Sequence, residues 1–238
     1  MIVFNGCSFV EQSHLELESE NWKDLYWPTL VAGDHVNLAL SGASNTRIWR
    51  TTIDYIHCGK PITKLCIGWT NITREELPIA NGDTLNCLPY SASLNNDPHV
   101  DVSSLHQHWY KNHYNDWLSY ERLIDYILTI QDACAVRKIP CYMFNSWDTN
   151  NLRLPSKVLP HNFNILNKRM KWRWKEDITR IEQKLSYIDW NRWIWSANTH
   201  LIDWIDTNGL ECESHGHPNL SAQRPIADYI IDNTNLGR

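Results

Sequence analysis

Met1-Ile2-Val3-Phe4-Asn5-Gly6-Cys7-Ser8-Phe9-Val10 opens the chain, and the reading of that stretch decides the rest. Met1 to Phe4 form a short apolar run rich in strand formers, and Asn5-Gly6 stops it with turn chemistry. A buried strand that ends this way holds a side chain or a backbone amide at the rim of a parallel sheet. Ligands of open α/β sheets bind at that rim, outside the carboxyl ends of the strands. Two nucleophiles stand there side by side, the Cys7 thiol and the Ser8 hydroxyl.

The same grammar repeats downstream. His35 to Leu40 reads as a second strand, followed by the turn Ser41-Gly42-Ala43-Ser44-Asn45. Ser44 or Asn45 is suited to cap a helix running through His57, with Ile48, Thr52, Ile53 and Ile56 along one face. Thr63 to Ile67 is a third strand, closed by Gly68 and followed by Trp69-Thr70-Asn71. Ile139 to Phe144 is a fourth, and Trp190 to Trp195 reads as a fifth strand or a packed loop. Helical spacing marks Trp22 to Val31, Trp117 to Lys138, Leu166 to Tyr187 and Asn198 to Asn208, and His217-Pro218-Asn219 opens a last helix. Strands alternating with helices predict a parallel sheet covered on both faces. Glu75 to Asn115 shows little periodicity and reads as a long excursion over the rim.

At 238 residues the chain is expected to be one domain, with a lid insertion at 73–116 and a helical insertion at 148–195. A formal charge of -5 supplies no global attraction to nucleic acid or to an anionic membrane. The first half of the Leu166 helix is basic and carries Trp172 and Trp174, but a solvated helix face explains it more simply than a nucleic-acid site. Thirteen tryptophans suit aromatic clefts and also fill cores, and the core is the expected place for most. Seven scattered cysteines without a CxxC pair, no signal peptide and no membrane-spanning run point to free thiols in the cytoplasm. His106, His108 and His113, or His215 and His217, lack a second ligand set at a metal-binding spacing, so neither metal nor cofactor is expected.

Four stretches stand just after a strand or before a helix: Gly6-Cys7-Ser8-Phe9, the Gly42 turn, Gly68-Trp69-Thr70-Asn71, and His215-Gly216-His217-Pro218-Asn219. Acyl transfer needs a nucleophile, a base within reach, and donors aimed at the developing oxyanion. Ser8 supplies a hydroxyl, and His217 an imidazole poised near neutral pH. The amides of Ser8 and Gly42 and the side-chain amide of Asn71 supply three donors. Trp69 and Arg74, beside the third stretch, are expected at the substrate, as a wall and as a polar or anionic grip.

This order resembles the SGNH hydrolases, the GDSL lipase/esterase superfamily. Gly6-Cys7-Ser8-Phe9 matches the family's Gly-Asp-Ser-(Leu/Phe) with Cys in place of Asp. Gly42 matches the second block. Gly68, Thr70 and Asn71 match Gly-x-Asn-Asp with one extra residue, and Ile72 stands where the family has Asp. His217-Pro218 matches the end of Asp-x-x-His-Pro. The resemblance implies a flavodoxin-like three-layer α/β/α sandwich with five parallel strands ordered 2-1-3-4-5. It also implies metal-independent hydrolysis of a small-molecule or carbohydrate-borne ester through an acyl-serine. Ser8 would be nucleophile, His217 base, and Ser8, Gly42 and Asn71 the oxyanion hole.

The acid of the triad departs from the pattern, because Ser214 occupies its place. Glu213, one position earlier with a longer side chain, is the candidate to orient His217, and a backbone carbonyl is the other. Two other readings arise from that departure and from the serine: a binding protein that kept the fold without the chemistry, and an acyltransferase using the same serine.

Overall fold

A computed structural model describes residues 1–17, 20–78, 84–87, 108–110, 112–147, 168–195, 199–213 and 216–237. Its central sheet has four strands, β1 (Ile2–Asn5), β2 (His35–Asn37), β3 (Lys64–Trp69) and a later strand, Cys141–Asn145, in the order β2, β1, β3, Cys141–Asn145. Every pairing in it is parallel. The runs Val3-Phe4, Leu65 to Trp69 and Cys141 to Asn145 are buried without alternation, as strands covered on both faces must be.

Chain order places the layers. The step from β1 to β2 and the step from β2 to β3 run in opposite directions across the sheet, so right-handed crossovers put their helices on opposite faces. The first connection carries α1 (Ser8–Glu11), α2 (Trp22–Leu25) and α3 (Trp27–Ala32), and α3 packs on the C-terminal helix Leu220–Asn233. The second carries α4 (Asn45–His57), which packs on α5 (Asp116–Arg137). Ser44 caps α4 through the Arg47 amide, and Asn115 caps α5 through the Leu118 amide, at 3.1 and 3.0 Å. One core runs through both interfaces and includes the fully buried Trp27, Trp69 and Trp195. Trp27 and Trp195 are core residues, as most tryptophans were expected to be, and Trp69 joins them although it was expected at the substrate. Among the described residues no helix is long and apolar enough to cross a membrane.

Several expectations need correction. No fifth strand joins the central sheet among the described residues. Trp190–Arg192 is a 3₁₀ turn, and beyond it Trp193 makes a single parallel bridge to Met143. The Trp22 to Val31 helix is two helices, broken at Tyr26, whose backbone is extended before Trp27 and Pro28 restart the helix. Pro28 is tolerated there because the first turn has no use for its missing N–H. The third strand does not stop at Ile67 but continues through Gly68 and Trp69. The aperiodic excursion holds an antiparallel hairpin, β4 (Glu75–Pro78) with β5 (Thr84–Cys87), while 79–83 and 88–107 lie outside the described residues. With Cys141–Asn145 as β6, the helices that come after it are α6 (Lys168–Ser186), α7 (Leu201–Thr207) and α8 (Leu220–Asn233). The start of the expected helical insertion, 148–167, also lies outside the described residues, as do the side chains of the basic half of α6.

Candidate active site

The order of the sheet reverses between β1 and β3, which is where an α/β sheet opens a crevice at its carboxyl edge. Ser8 leaves β1 there and is the first residue of α1. Its hydroxyl lies 2.7 Å from His217 Nε2, across 209 positions of sequence. With the proton on Ser8, the hydroxyl donates and Nε2 accepts. The Phe9 ring stacks on the His217 imidazole at 4.9 Å and 30°, which fixes the plane in which that nitrogen can point.

The glycines of this edge act by size, not by turn conformation. A Cβ on Gly6 would stand 2.4 Å from Val10 Cγ2 and 2.9 Å from the Gly68 carbonyl oxygen. A Cβ on Gly68 would meet Phe144 Cζ at 2.6 Å and Val10 Cγ2 at 2.8 Å. Glycine at both positions lets α1 settle onto the sheet, so that Val10 sits over β1 and β3 with Ser8 at the rim. Gly42 is different, with a left-handed φ of 76° and open space around its missing Cβ.

Backbone bonds carry the Gly42 turn to Ser8. Leu38 donates to the Phe4 carbonyl at 2.8 Å and Leu40 to the Gly6 carbonyl at 3.2 Å, extending the β1–β2 ladder past the end of β2. Asn45 then spans to the third stretch. Its amide nitrogen donates to the Thr70 carbonyl at 3.0 Å, and its amide oxygen accepts from the Thr70 N–H at 2.9 Å. The Asn71 amide oxygen accepts from the Thr73 N–H and hydroxyl, at 2.9 and 2.8 Å, which leaves its NH₂ as the end available to a ligand. The amides of Ser8 and Gly42 make no hydrogen bond among the described residues.

Two backbone bonds tie Glu213 to the residues at and before His217. Glu213 N–H donates to the His217 carbonyl and Gly216 N–H to the Glu213 carbonyl, each at 2.8 Å, with Gly216 left-handed at φ 76°. Cys212 and Pro218 pair as an antiparallel bridge, so Pro218 precedes the last helix rather than sitting in its first turn. Asn219 is the cap, accepting from the Ala222 N–H at 3.2 Å.

Other residues settle away from where the sequence suggested. Trp69 is fully buried, with its indole N–H donating to Met143 Sδ at 3.4 Å, so it is a core residue and not a pocket wall. Cys7 is fully buried too, whereas Ser8 reaches His217. Glu75 turns away from the rim and accepts from Ser119 Oγ at 2.9 Å and Arg122 at 3.2 Å. Burial pushes its carboxyl above the ordinary value, against the pull of Ser119 and Arg122. Arg74 stays near the rim, its N–H bonded to the Asn71 carbonyl at 3.1 Å and its guanidinium 5.4 Å over the Trp147 ring. His108 and His113 are exposed, His106 and His215 lie outside the described residues, and no group of three potential metal ligands forms among the described ones.

Sequence reasoning missed the polar struts behind the site. Asn5, read as a turn residue, is buried. Its amide nitrogen donates to the Ile48 carbonyl and to the Thr51 and Thr52 hydroxyls, and its oxygen accepts from the Gly6 N–H. Gln12 ends α1 in a left-handed conformation (φ 62°) that glycine would hold at lower cost, and its side chain donates to the Phe9 carbonyl. Buried Gln223 donates to Gln12 Oε1 at 3.2 Å and to the Pro218 carbonyl at 3.0 Å, and accepts from the Trp27 N–H at 3.2 Å. One signal was available: Gln223 interrupts the apolar face that Ile226, Ala227 and Ile230 define on α8.

No family model matches the chain, and no curated protein matches it. Among solved structures, the psychrotrophic esterase EstA from Pseudoalteromonas sp., inhibited by monoethylphosphonate, is similar at 12% identity with a TM-score of 0.46. That likeness covers 98% of this chain and 94% of the other. TesA is similar at 12% identity with a TM-score of 0.41, covering 99% of this chain and 98% of the other. At such scores the likenesses carry no argument about this chain, whose function is read from its own residues.

Proposed function

We propose that the chain is a serine-dependent ester hydrolase of the SGNH type, acting on a small-molecule or carbohydrate-borne acyl ester in the cytoplasm. The observation that carries this reading is the 2.7 Å bond between Ser8 Oγ and His217 Nε2 at the switch point of the sheet. The fit of four separated stretches to the family's blocks supports it. Among the described residues the six cysteines have free thiols, which suits a reducing compartment.

In this mechanism Ser8 Oγ attacks the ester carbonyl as its proton passes to His217 Nε2. Negative charge grows on the carbonyl oxygen, where the Ser8 and Gly42 amides and the Asn71 NH₂ receive it. A single oxyanion donor is worth ~10²–10³ in turnover. The bond to the alcohol breaks, and His217 returns the proton to the departing oxygen. Water then attacks the acyl-serine, with His217 again taking a proton and handing it back to Ser8. Glu213, whose N–H donates to the His217 carbonyl, is the residue we assign to hold the imidazole in the tautomer that accepts at Nε2.

Turnover of short-chain 4-nitrophenyl esters tests the proposal. Wild-type protein hydrolyses them and Ser8→Ala does not. If the wild type is as inert as Ser8→Ala, the chain is a binding protein on this fold. If it transfers the acyl group to an added alcohol in preference to water, it is an acyltransferase on the same serine.

A further inference from the structure

Three buried polar groups at the carboxyl edge, within two ring contacts of the catalytic pair, have no use in ester hydrolysis itself. Arg74 Nη1, Ser146 Oγ and Trp147 Nε1 are all enclosed and have no hydrogen-bond partner among the described residues. They come from adjacent strands: Arg74 follows β3 through the Asn71 turn, and Ser146 and Trp147 follow β6. The Ser146 N–H donates to the Trp69 carbonyl at 2.9 Å, which holds the two exits side by side.

Their relation to the nucleophile runs through rings. Arg74 lies 5.4 Å over Trp147. Trp147 meets Phe9 edge-on at 5.0 Å, and Phe9 stacks on His217 at 4.9 Å. Arg74 forms no ion pair among the described residues, although the fold gives acidic partners to Arg50, Arg122 and Arg180. A guanidinium with an enclosed, unpartnered nitrogen is costly unless an anion completes it. A guanidinium held over an indole face by cation–π attraction keeps N–H groups available to a carboxylate.

We propose that Arg74, with Trp147 Nε1 and Ser146 Oγ, binds a carboxylate carried by the substrate, remote from the scissile bond. This inference rests on the ester-hydrolase reading and narrows it: the preferred ester is acidic. The carboxylate accepts from the guanidinium and the indole, and the Trp147–Phe9–His217 ring contacts relate that charge to the ester.

The test compares matched esters, with the carboxylate on the acyl arm (mono-4-nitrophenyl glutarate against 4-nitrophenyl pentanoate) or on the alcohol arm (4-acetoxybutanoate against butyl acetate). Calorimetric titration of glutarate gives a readout independent of turnover. The expected result is a preference in kcat/KM of roughly 10- to 100-fold for the acidic ester in one arm, which also identifies the end that carries the charge. Arg74→Gln collapses that ratio, and Arg74→Lys restores part of it by returning the charge. Glutarate binding weakens by a similar factor in Arg74→Gln. Labelling of Ser8 by a fluorophosphonate reports that each variant is folded. The inference is overturned when neither arm shows a preference and glutarate binding does not depend on Arg74. If no ester turns over but glutarate binds through Arg74, the hydrolase reading fails and the anion site stands.

Discussion

Gln12 and Gln223 meet side chain to side chain, 3.2 Å apart, although 211 residues separate them. Gln12 caps the end of the helix that begins at Ser8, and Gln223 belongs to the helix that comes after His217. Through Gln223 the Pro218 carbonyl and the Trp27 N–H are joined to the same strut. The Ser8–His217 distance is therefore set by a buried amide pair behind the site as well as by the two residues themselves.

Gln223→Ala removes the strut and strands the Trp27 N–H, for a loss of about 2–4 kcal/mol in unfolding free energy. Because His217 loses its anchor, kcat falls more than KM rises. Chemical denaturation and steady-state kinetics of the one variant check both effects. A variant that unfolds more easily but keeps wild-type kcat would make Gln223 a packing residue only.

Gly6→Ala forces a methyl to within 2.4 Å of Val10 Cγ2 and 2.9 Å of the Gly68 carbonyl. Val10 can be trimmed but the carbonyl cannot move freely, so Gly6→Ala costs about 1–3 kcal/mol and Val10→Ala recovers only part of it. Thermal unfolding of the single and double variants measures this.

Cys7→Ala leaves the nucleophile in place, so ester turnover persists. A small buried cavity costs about 1 kcal/mol. Loss of turnover in a folded Cys7→Ala protein would return the nucleophile question to the thiol.

Glu75 links stability to pH. Its folded pKa is raised by burial above the ordinary value of 4.5, so its contribution is fully present below that value and is lost as pH rises through the folded pKa. Glu75→Gln keeps the group neutral throughout. The drop in Tm from pH 4.5 to pH 7 is expected to be smaller in the variant than in the wild type, and parallel profiles would contradict the assignment.

The parts of this fold that are legible in the sequence are those where a residue type has only one workable place. Unbroken apolar runs such as Leu65 to Ile67 and Tyr142 to Phe144 have no stable place except inside a parallel sheet, and those strands are where they were expected. Trp190 to Trp195 has the same apolarity, but bulky rings pack as well in a turn as in a ladder, and the turn is what forms. The hairpin of β4 and β5 has a proline and an acidic pair in its first strand, so its alternation is masked. At the site, Ser8, Gly42, Asn71 and His217 stand out because each type is chemically suited to its place. Asn5, Asn45 and Gln223 do not, since an amide can cap a helix, stop a strand or brace a distant backbone with equal ease. Trp69 shows the converse, because a large aromatic ring at the end of a buried strand packs as readily into the core as against a ligand.

Ser8 as an activated nucleophile is the central claim. Treating the wild-type protein with a fluorophosphonate and mapping the adduct by peptide mass measures that alone. The prediction is a single stoichiometric phosphonyl adduct on Ser8, abolished in Ser8→Ala and strongly slowed in His217→Ala. An unlabelled Ser8 in folded protein, or an adduct on another residue, would contradict it.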